Sequence, residues 1–336
     1  MIQEAIEKVS RRIDLTAEEM EFVMSSIAEG RVPEDQIEAF LVALARKKET
    51  AEEITGAASA LRKYVTRIRL KSDLILDTCG TGGDNKKTFN ISTVSAFVVA
   101  GAGVTVAKHG NRSVSSHCGS ADLLEALGVN INAGTDIVER CLNEIGIGFL
   151  FAPLLHPAMK YVQPVRKKLK MRTIFNVMGP LINPAFPTHQ FLGVYDESLV
   201  LVLCRVLANL GLKHAMVAWG QGGFDEATTT GSTQVCETTE GHIKEYSLEP
   251  DQMGLPLAKE KDLLGGDVES NKHIALNVLK GKEGPPRDIV LLNAGCCLYV
   301  AGRANTIRDG IVLAAESIDS GQAIKKLNKL IETTTL

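Results

Sequence analysis

The chain is poor in aromatic residues: Phe, Trp and Tyr make up 5% of its 336 residues, with a single Trp. It has no Cys-x-x-Cys pair, and its seven cysteines (79, 118, 141, 204, 236, 296 and 297) are odd in number. That argues against a zinc ribbon or a disulfide framework and points to a reducing compartment. No stretch reaches the ~20 apolar residues that a membrane span requires; the longest, from Val94 to Ala107, is broken by Ser95 and Thr105. The opening residues, MIQEAIEKVSRR, lack the apolar core of a secretion signal. An excess of one charge is missing too, since 37 Lys and Arg against 40 Asp and Glu leave a net charge of -3. Nucleic-acid-binding domains commonly have isoelectric points above about 9. The expectation is a cytoplasmic protein that binds neither membrane nor nucleic acid. Gly-x-Ser-x-Gly, His-Glu-x-x-His and Walker A patterns are also absent, which removes the chemistries those motifs carry.

Hydrophobic residues make up 45%, enough for a sizeable core, and a chain of this length usually divides into about two domains. Glycine is in surplus, with 30 residues. Seven of them fall between residues 80 and 120 and four between 220 and 231, so they are concentrated and do not dilute a linker.

The first 65 residues read as helices only. Thr16-Ala-Glu-Glu19 and Thr50-Ala-Glu-Glu53 are capping boxes, a hydroxyl followed three residues on by a carboxylate. Ile37, Phe40, Leu41 and Leu44 form one apolar stripe, and Ile54, Ala58, Leu61 and Val65 another. From about residue 73 strand and helix alternate. Strands are expected at 73–77, 103–107, 147–151, 191–195 and 215–219, and helices near 92–101, 121–127, 136–145 and 197–210. Antiparallel excursions follow over 228–246, then a helical tail broken at Gly302 and Gly321. The class is α/β, a small helical bundle beside a large domain with a mostly parallel sheet.

Four segments could carry chemistry. Cys79-Gly-Thr-Gly-Gly-Asp84 joins a strand to a helix that opens Asn90-Ile-Ser-Thr93, where amides and the helix dipole favour anions. It reads equally as a tight turn. Lys108-His-Gly-Asn-Arg-Ser-Val-Ser-Ser116 packs two cations, an amide and three hydroxyls into one loop, more donors than a structural loop needs and suited to a pyrophosphate. Ser120 is a candidate N-cap for the helix after it. Asp225-Glu226 follows a glycine loop; paired carboxylates at a strand end can hold Mg²⁺ beside phosphates, or form a solvated acidic turn. Between Lys160 and Arg172 lie six basic residues and no acid, of which Arg166 and Arg172 could clamp a carboxylate. The first three loops all follow the carboxyl ends of strands, where open α/β sheets bind ligands.

Taken in order with Gly119-Ser-Ala-Asp122 and Arg172-Thr-Ile-Phe-Asn176 through Gly179-Pro-Leu-Ile-Asn-Pro184, these segments resemble the anthranilate phosphoribosyltransferases almost end to end. The resemblance implies the fold of the class II nucleoside phosphorylases. It implies a helical domain of residues 1–70 rejoined by 164–186, an α/β domain of 71–163 and 187–336, and a homodimer formed through the helical domain. It implies transfer of a phosphoribosyl group from phosphoribosyl pyrophosphate to the amine of anthranilate, in tryptophan biosynthesis, with Mg²⁺. The donor would then be held by Gly80, Gly83, Asp84, Thr88, Asn90, Ile91, Ser92 and Thr93 on the first loop. On the second, Lys108, His109, Gly110, Asn111, Arg112, Ser113, Val114, Ser115, Ser116 and Ser120 would hold it. Anthranilate would meet Gly80, Asn111 and Arg166, with His109, His156, Met178, Pro180 and Arg172 lining its path. Ser92, Asp225 and Glu226 would serve the metal, and Lys108, Arg112, Asp225 and Glu226 would carry catalysis. His117, Trp219 and Ala227-Thr228 depart from the usual family pattern. A pyrimidine nucleoside phosphorylase is disfavoured because the Lys-His and Thr-Gly-Gly elements sit on separate loops. A non-catalytic paralogue that binds nucleic acid is disfavoured by the intact Arg166 and Asp225-Glu226.

Overall fold

The computed structural model describes residues 2–84, 86–113 and 118–335. Four helices come first, α1 (Ile2–Ser10), α2 (Ala17–Ala28), α3 (Glu34–Lys47) and α4 (Ala51–Arg62). Both capping boxes form: the Thr16 and Thr50 hydroxyls accept the Glu19 and Glu53 N–H groups, and the two carboxylates accept in return. Glu53 is fully buried and reaches further. It accepts the Leu15 N–H at 2.9 Å and the Lys47 ammonium at 2.9 Å, and the same ammonium bonds Asp14. One carboxylate therefore ties the α1–α2 turn, the end of α3 and the start of α4. Both apolar stripes are buried in this layer, except that Val65 lies beyond the end of α4 and is half-buried.

Among the described residues there is one seven-stranded sheet: β1 (Leu76–Gly80), β2 (Val106–Gly110), β3 (Ile147–Phe151), β4 (His189–Gly193), β5 (His214–Gly220), β6 (Thr233–Thr239) and β7 (His242–Leu248). Its spatial order is β3-β2-β1-β4-β5-β6-β7, parallel through β5 and antiparallel from β5 to β7. The remaining helices are α5 (Ile91–Gly101), α6 (Ser120–Ala126), α7 (Thr135–Arg140), which continues as a π-helical turn Cys141–Ile145, α8 (Ala152–Leu155), α9 (Gln163–Leu169) and α10 (Phe175–Leu181). After them come α11 (Leu199–Asn209), α12 (Val268–Leu279), α13 (Pro285–Val300), α14 (Ile307–Asp319) and α15 (Gln322–Thr335). Alternation along the strands sorts two cores. Phe191, Met216 and Ala218 pack with α5 and α13 to α15, whereas Leu192, Ala215 and Val217 pack with α11 and the N-terminal helices. Val165, Phe175, Met178 and Leu181 from α9 and α10 are buried in that second core.

Three expectations are corrected. The first two strands pair three residues later than expected, at Leu76–Gly80 and Val106–Gly110, because ladder pairing runs on into glycines that carry no apolar signal. The helix α12 is additional; its Asn271-Lys-His273 run hides the apolar period. Gly119, not Ser120, caps α6, with the Asp122 carboxylate accepting the Gly119 N–H at 2.9 Å.

Replacing Glu53 by Ala leaves a buried ammonium short of a partner and orphans two backbone donors. Removing one partner of a buried ion pair costs about 3–5 kcal/mol. The expected result is a lower denaturant midpoint with an unchanged slope; a loss below about 1 kcal/mol would contradict the role given to Glu53.

Candidate active site

The chain leaves β1 for β2 on one side while β4 lies on the other, so the sheet order reverses between β1 and β4. Such a switch point is where open α/β sheets leave a crevice beyond the strand ends. There, Gly80 and Gly193 are register partners on adjacent strands. A Cβ on Gly80 would lie 2.2 Å from Asp225 Oδ2, and one on Gly193 would lie 1.6 Å from the Asp225 carbonyl oxygen. Two side-chain-free positions are what lets the turn after β5 sit down on the crevice. The Gly82 N–H then donates to Asp225 Oδ2 at 2.7 Å, and the Ser92 N–H at the start of α5 donates to Glu226 Oε1 at 3.1 Å.

The electrostatics of this turn are unfavourable as they stand. Burial first, then the neighbouring Asp84 and Glu226 carboxylates, hold Asp225 well above the usual carboxylate range. Burial pushes Glu226 up to about 8, against the opposing pull of Lys108 and the Ser92 N–H. Asp84 Oδ2, Asn90 Oδ1 and Glu226 Oε2 are buried with no hydrogen-bond partner among the described residues. Oxygens in that state suit a cation. No group of three His, Cys, Asp or Glu among the described residues forms a complete metal cage. Mg²⁺ does not need one, since it usually takes one or two carboxylates and completes its shell with water and phosphate.

Lys108 is buried on β2, its ammonium donating to the Thr78 carbonyl at 2.7 Å. Behind it Asp77 is fully buried, accepting from the His109 N–H at 3.4 Å and from the Cys79 thiol at 3.7 Å. The His109 Nδ1 faces the Gly179 carbonyl at 3.0 Å, which can only accept, so Nδ1 carries the proton. His109 Nε2 is then the acceptor for the His156 Nε2–H at 2.9 Å. Burial lowers both rings, His109 to about 3 and His156 to about 4, and at His109 the neighbouring His156 ring adds to the effect. The Gln190 amide donates to the Pro180 carbonyl at 2.8 Å, holding the other end of the Gly179-Pro180 step. Arg166 lies over the Phe175 ring, 5.6 Å from its centroid. A cavity of about 150 Å³ adjoins Thr88, between Lys87, Cys118, Leu264 and Asn271.

This arrangement has relatives. The family profile described as "Glycosyl transferase family, a/b domain" matches residues 72–324, and "Glycosyl transferase family, helical bundle domain" matches residues 3–65. An anthranilate phosphoribosyltransferase of Anaeromyxobacter sp. (strain K) is 53% identical over 336 residues, 100% of this chain and 99% of that one. The chain belongs to the anthranilate phosphoribosyltransferases. The crystal structure of the Thermus thermophilus member superposes with a TM-score of 0.94 at 40% identity, covering 99% of both chains. The Saccharomyces cerevisiae member, solved in complex with PRPP and Mg, has a TM-score of 0.90 at 28% identity, covering 99% of this chain and 98% of its own.

Of the residues the family resemblance implies, the structure brings Gly80, Asp84, Ser92, Asp225 and Glu226 together, and joins His109, His156 and Gly179 in a second cluster. Arg112 is elsewhere: its guanidinium is exposed and paired with Asp122 at 2.9 Å and Glu125 at 2.8 Å. Arg172, expected along the acceptor path, donates to the Gly83 carbonyl and lies over the Tyr195 ring. Val114, Ser115, Ser116 and the departure at His117 lie outside the described residues. Sequence reasoning missed Asp77, Gln190 and Tyr195, and it gave Asp84 to the donor alone. Asp77 had a signal, a charge closing the run Leu74-Ile-Leu76, where an unpaired charge is rarely buried.

The buried histidines set a pH dependence. Unfolded imidazoles take protons below about 6.5, whereas these stay neutral until about 4 and about 3. The unfolded state therefore binds more protons in that window, and the stability this pair contributes above it is lost as pH falls. The melting-temperature gap between the protein and its His156→Gln variant should narrow from pH 6.5 to pH 4. A gap that stays constant would show that the pair is not held neutral.

Proposed function

We propose that this chain transfers the 5-phosphoribosyl group of phosphoribosyl pyrophosphate to the amino group of anthranilate, releasing pyrophosphate, as its relatives' names describe. The observation that carries the reading is the buried turn Asp225-Glu226, seated on the β1–β4 crevice, with Glu226 Oε1 accepting the Ser92 N–H at the N-terminus of α5 and Glu226 Oε2 buried without a partner among the described residues. A yeast relative holds PRPP and Mg in this fold, and another yeast structure holds 4-fluoroanthranilate.

The donor set is the glycine loop from Gly80 to Asp84, Thr88, the Asn90 to Thr93 helix start, and the loop from Lys108 to Ser120. Ser92, Asp225 and Glu226 would hold Mg²⁺, and we add Asp84, whose buried Oδ2 has no partner among the described residues and whose carboxylate neighbours Asp225. Bound there, Mg²⁺ would neutralise charge building on the departing pyrophosphate. The amides at the start of α5 and the Lys108 ammonium act in the same direction, aimed where negative charge develops in a buried site. Arg112 can contribute only by leaving Asp122 and Glu125.

On the acceptor side, Arg166 supplies the cation for a carboxylate, with Gly80 and Asn111 alongside. Anthranilate's aromatic amine is neutral at pH 7 and needs no strong base to become nucleophilic. The site agrees: both histidines are neutral, and the one nitrogen that could accept on His109 already faces His156. They shape the acceptor path and do not drive proton removal. We assign residues 1–70 with 164–186 to the helical domain and the remainder to the α/β domain, in keeping with the burial of Val165 and Phe175 among the N-terminal helices. A homodimer would use that helical layer, where Ile13 and Phe22 are exposed. No helix is long and apolar enough to cross a membrane among the described residues, and cytoplasmic work on two small anions fits the substrate set.

Anthranilate fluorescence tests this directly. Its signal should fall only when protein, phosphoribosyl pyrophosphate and Mg²⁺ are all present. A Glu226→Gln variant should cut the rate at least about 100-fold, the scale of losing one preorganised electrostatic stabiliser. A flat trace from folded wild-type protein, or a variant as fast as wild type at limiting Mg²⁺, contradicts the proposal.

A further inference from the structure

Arg172 lies between α9 and α10, in the segment that carries the acceptor arginine Arg166, yet its side chain turns towards the donor loop. Its Nη2 donates to the Gly83 carbonyl at 2.6 Å, and its guanidinium carbon stands 3.8 Å from the centroid of the Tyr195 ring. Tyr195 follows β4, and its own N–H donates to the Thr81 hydroxyl at 3.2 Å. Thr81 in turn donates through its N–H to the Gly193 carbonyl at 2.9 Å. The glycine loop is therefore held on both flanks. The Gly82 N–H is fixed by Asp225, and the Gly83 carbonyl, one peptide on, is fixed by Arg172.

The other end of the segment reaches the acceptor side. Phe175, three residues after Arg172, is buried and packs beneath Arg166. Lys170 closes α9 in the left-handed region at φ 49°, which turns the chain between the two arginines. Arg172 thus joins the Gly83 carbonyl to the backbone segment that carries Phe175, on which Arg166 lies.

We infer that Arg172 is a positioning residue that couples the donor loop to the acceptor arginine, so that filling one site tightens the other. This rests on the function proposed above. The guanidinium is suited to it because it stacks flat on a ring while donating in its own plane; an ammonium cannot do both. Coupling of this kind is reciprocal and commonly amounts to about 5- to 150-fold in affinity.

The experiment uses the whole protein and an unreactive occupant of the donor loop. Anthranilate affinity is measured from its own fluorescence, with and without saturating pyrophosphate and Mg²⁺, in wild type, Arg172→Gln, Arg172→Lys, Tyr195→Phe and Tyr195→Leu. Wild type and Tyr195→Phe should bind anthranilate about tenfold more tightly when pyrophosphate and Mg²⁺ are present. In Arg172→Gln, Arg172→Lys and Tyr195→Leu that gain should shrink below about twofold, with melting temperatures near wild type because Arg172 is exposed. A purely structural tie would not move this ratio. An undiminished gain in Arg172→Gln, or no gain in wild type, overturns the coupling role. Wild-type protein that gives no fluorescence response to anthranilate at all overturns the proposed function instead.

Discussion

The site depends on one steric allowance, the absence of side chains at Gly80 and Gly193 where β1 and β4 run side by side. Because nothing projects from those two positions, the backbone of Asp225 can lie directly on the strand ends. Everything chemically distinctive follows from that contact. It carries two carboxylates out of water, brings Asp84 against them, and sets Glu226 on the first turn of α5. The glycine surplus of the composition thus has a local cause, a backbone-on-backbone contact at the point where the sheet order reverses.

A buried cluster of carboxylates is costly, and the surrounding structure is organised to make it tolerable. Lys108 supplies a buried cation on the next strand, with its ammonium anchored on Thr78. Backbone amides from Gly82 and Ser92 take up one oxygen of each of Asp225 and Glu226. Glu226 Oε2 and Asp84 Oδ2, buried without partners among the described residues, are oxygens that a divalent cation would satisfy. The acceptor side is built on the opposite principle. There a histidine pair is kept uncharged by burial and by a fixed proton arrangement running from His156 through His109 to Gly179. Buried carboxylates at the β1–β4 crevice and an uncharged histidine pair on β2 and after β3 are thus kept in place by opposite means.

Much of this was legible in the residues. The capping boxes at Thr16 and Thr50 placed two helices, and strand-helix alternation from residue 73 gave the sheet. The ordered motifs around Gly80, Lys108 and Asp225 pointed to loops at the strand ends, and the structure packs Asp225 on Gly80 there. What could not be read has a common physical origin, in side chains whose partners are distant in sequence. Glu53 reads as a cap and is also the buried counter-charge of Lys47. Arg112 reads as a free cation, but Asp122 and Glu125 on α6 have claimed it. Arg172 reads as an acceptor contact, yet its carbonyl partner lies 89 positions away on the donor loop. The far ends of β1 and β2, at Gly80 and Gly110, were missed because glycine pairs in a ladder without leaving any hydrophobic signature.

The most direct measurement of the central claim is the affinity of phosphoribosyl pyrophosphate with Mg²⁺ for a Gly193→Ala variant, by calorimetric titration. A methyl group there must displace the Asp225 backbone, since it would fall 1.6 Å from that carbonyl oxygen. The account predicts a folded protein whose Mg²⁺-dependent donor binding is weakened about 10- to 100-fold, as expected when the support of a metal site is disturbed. A folded variant that binds the donor as tightly as wild type would contradict it.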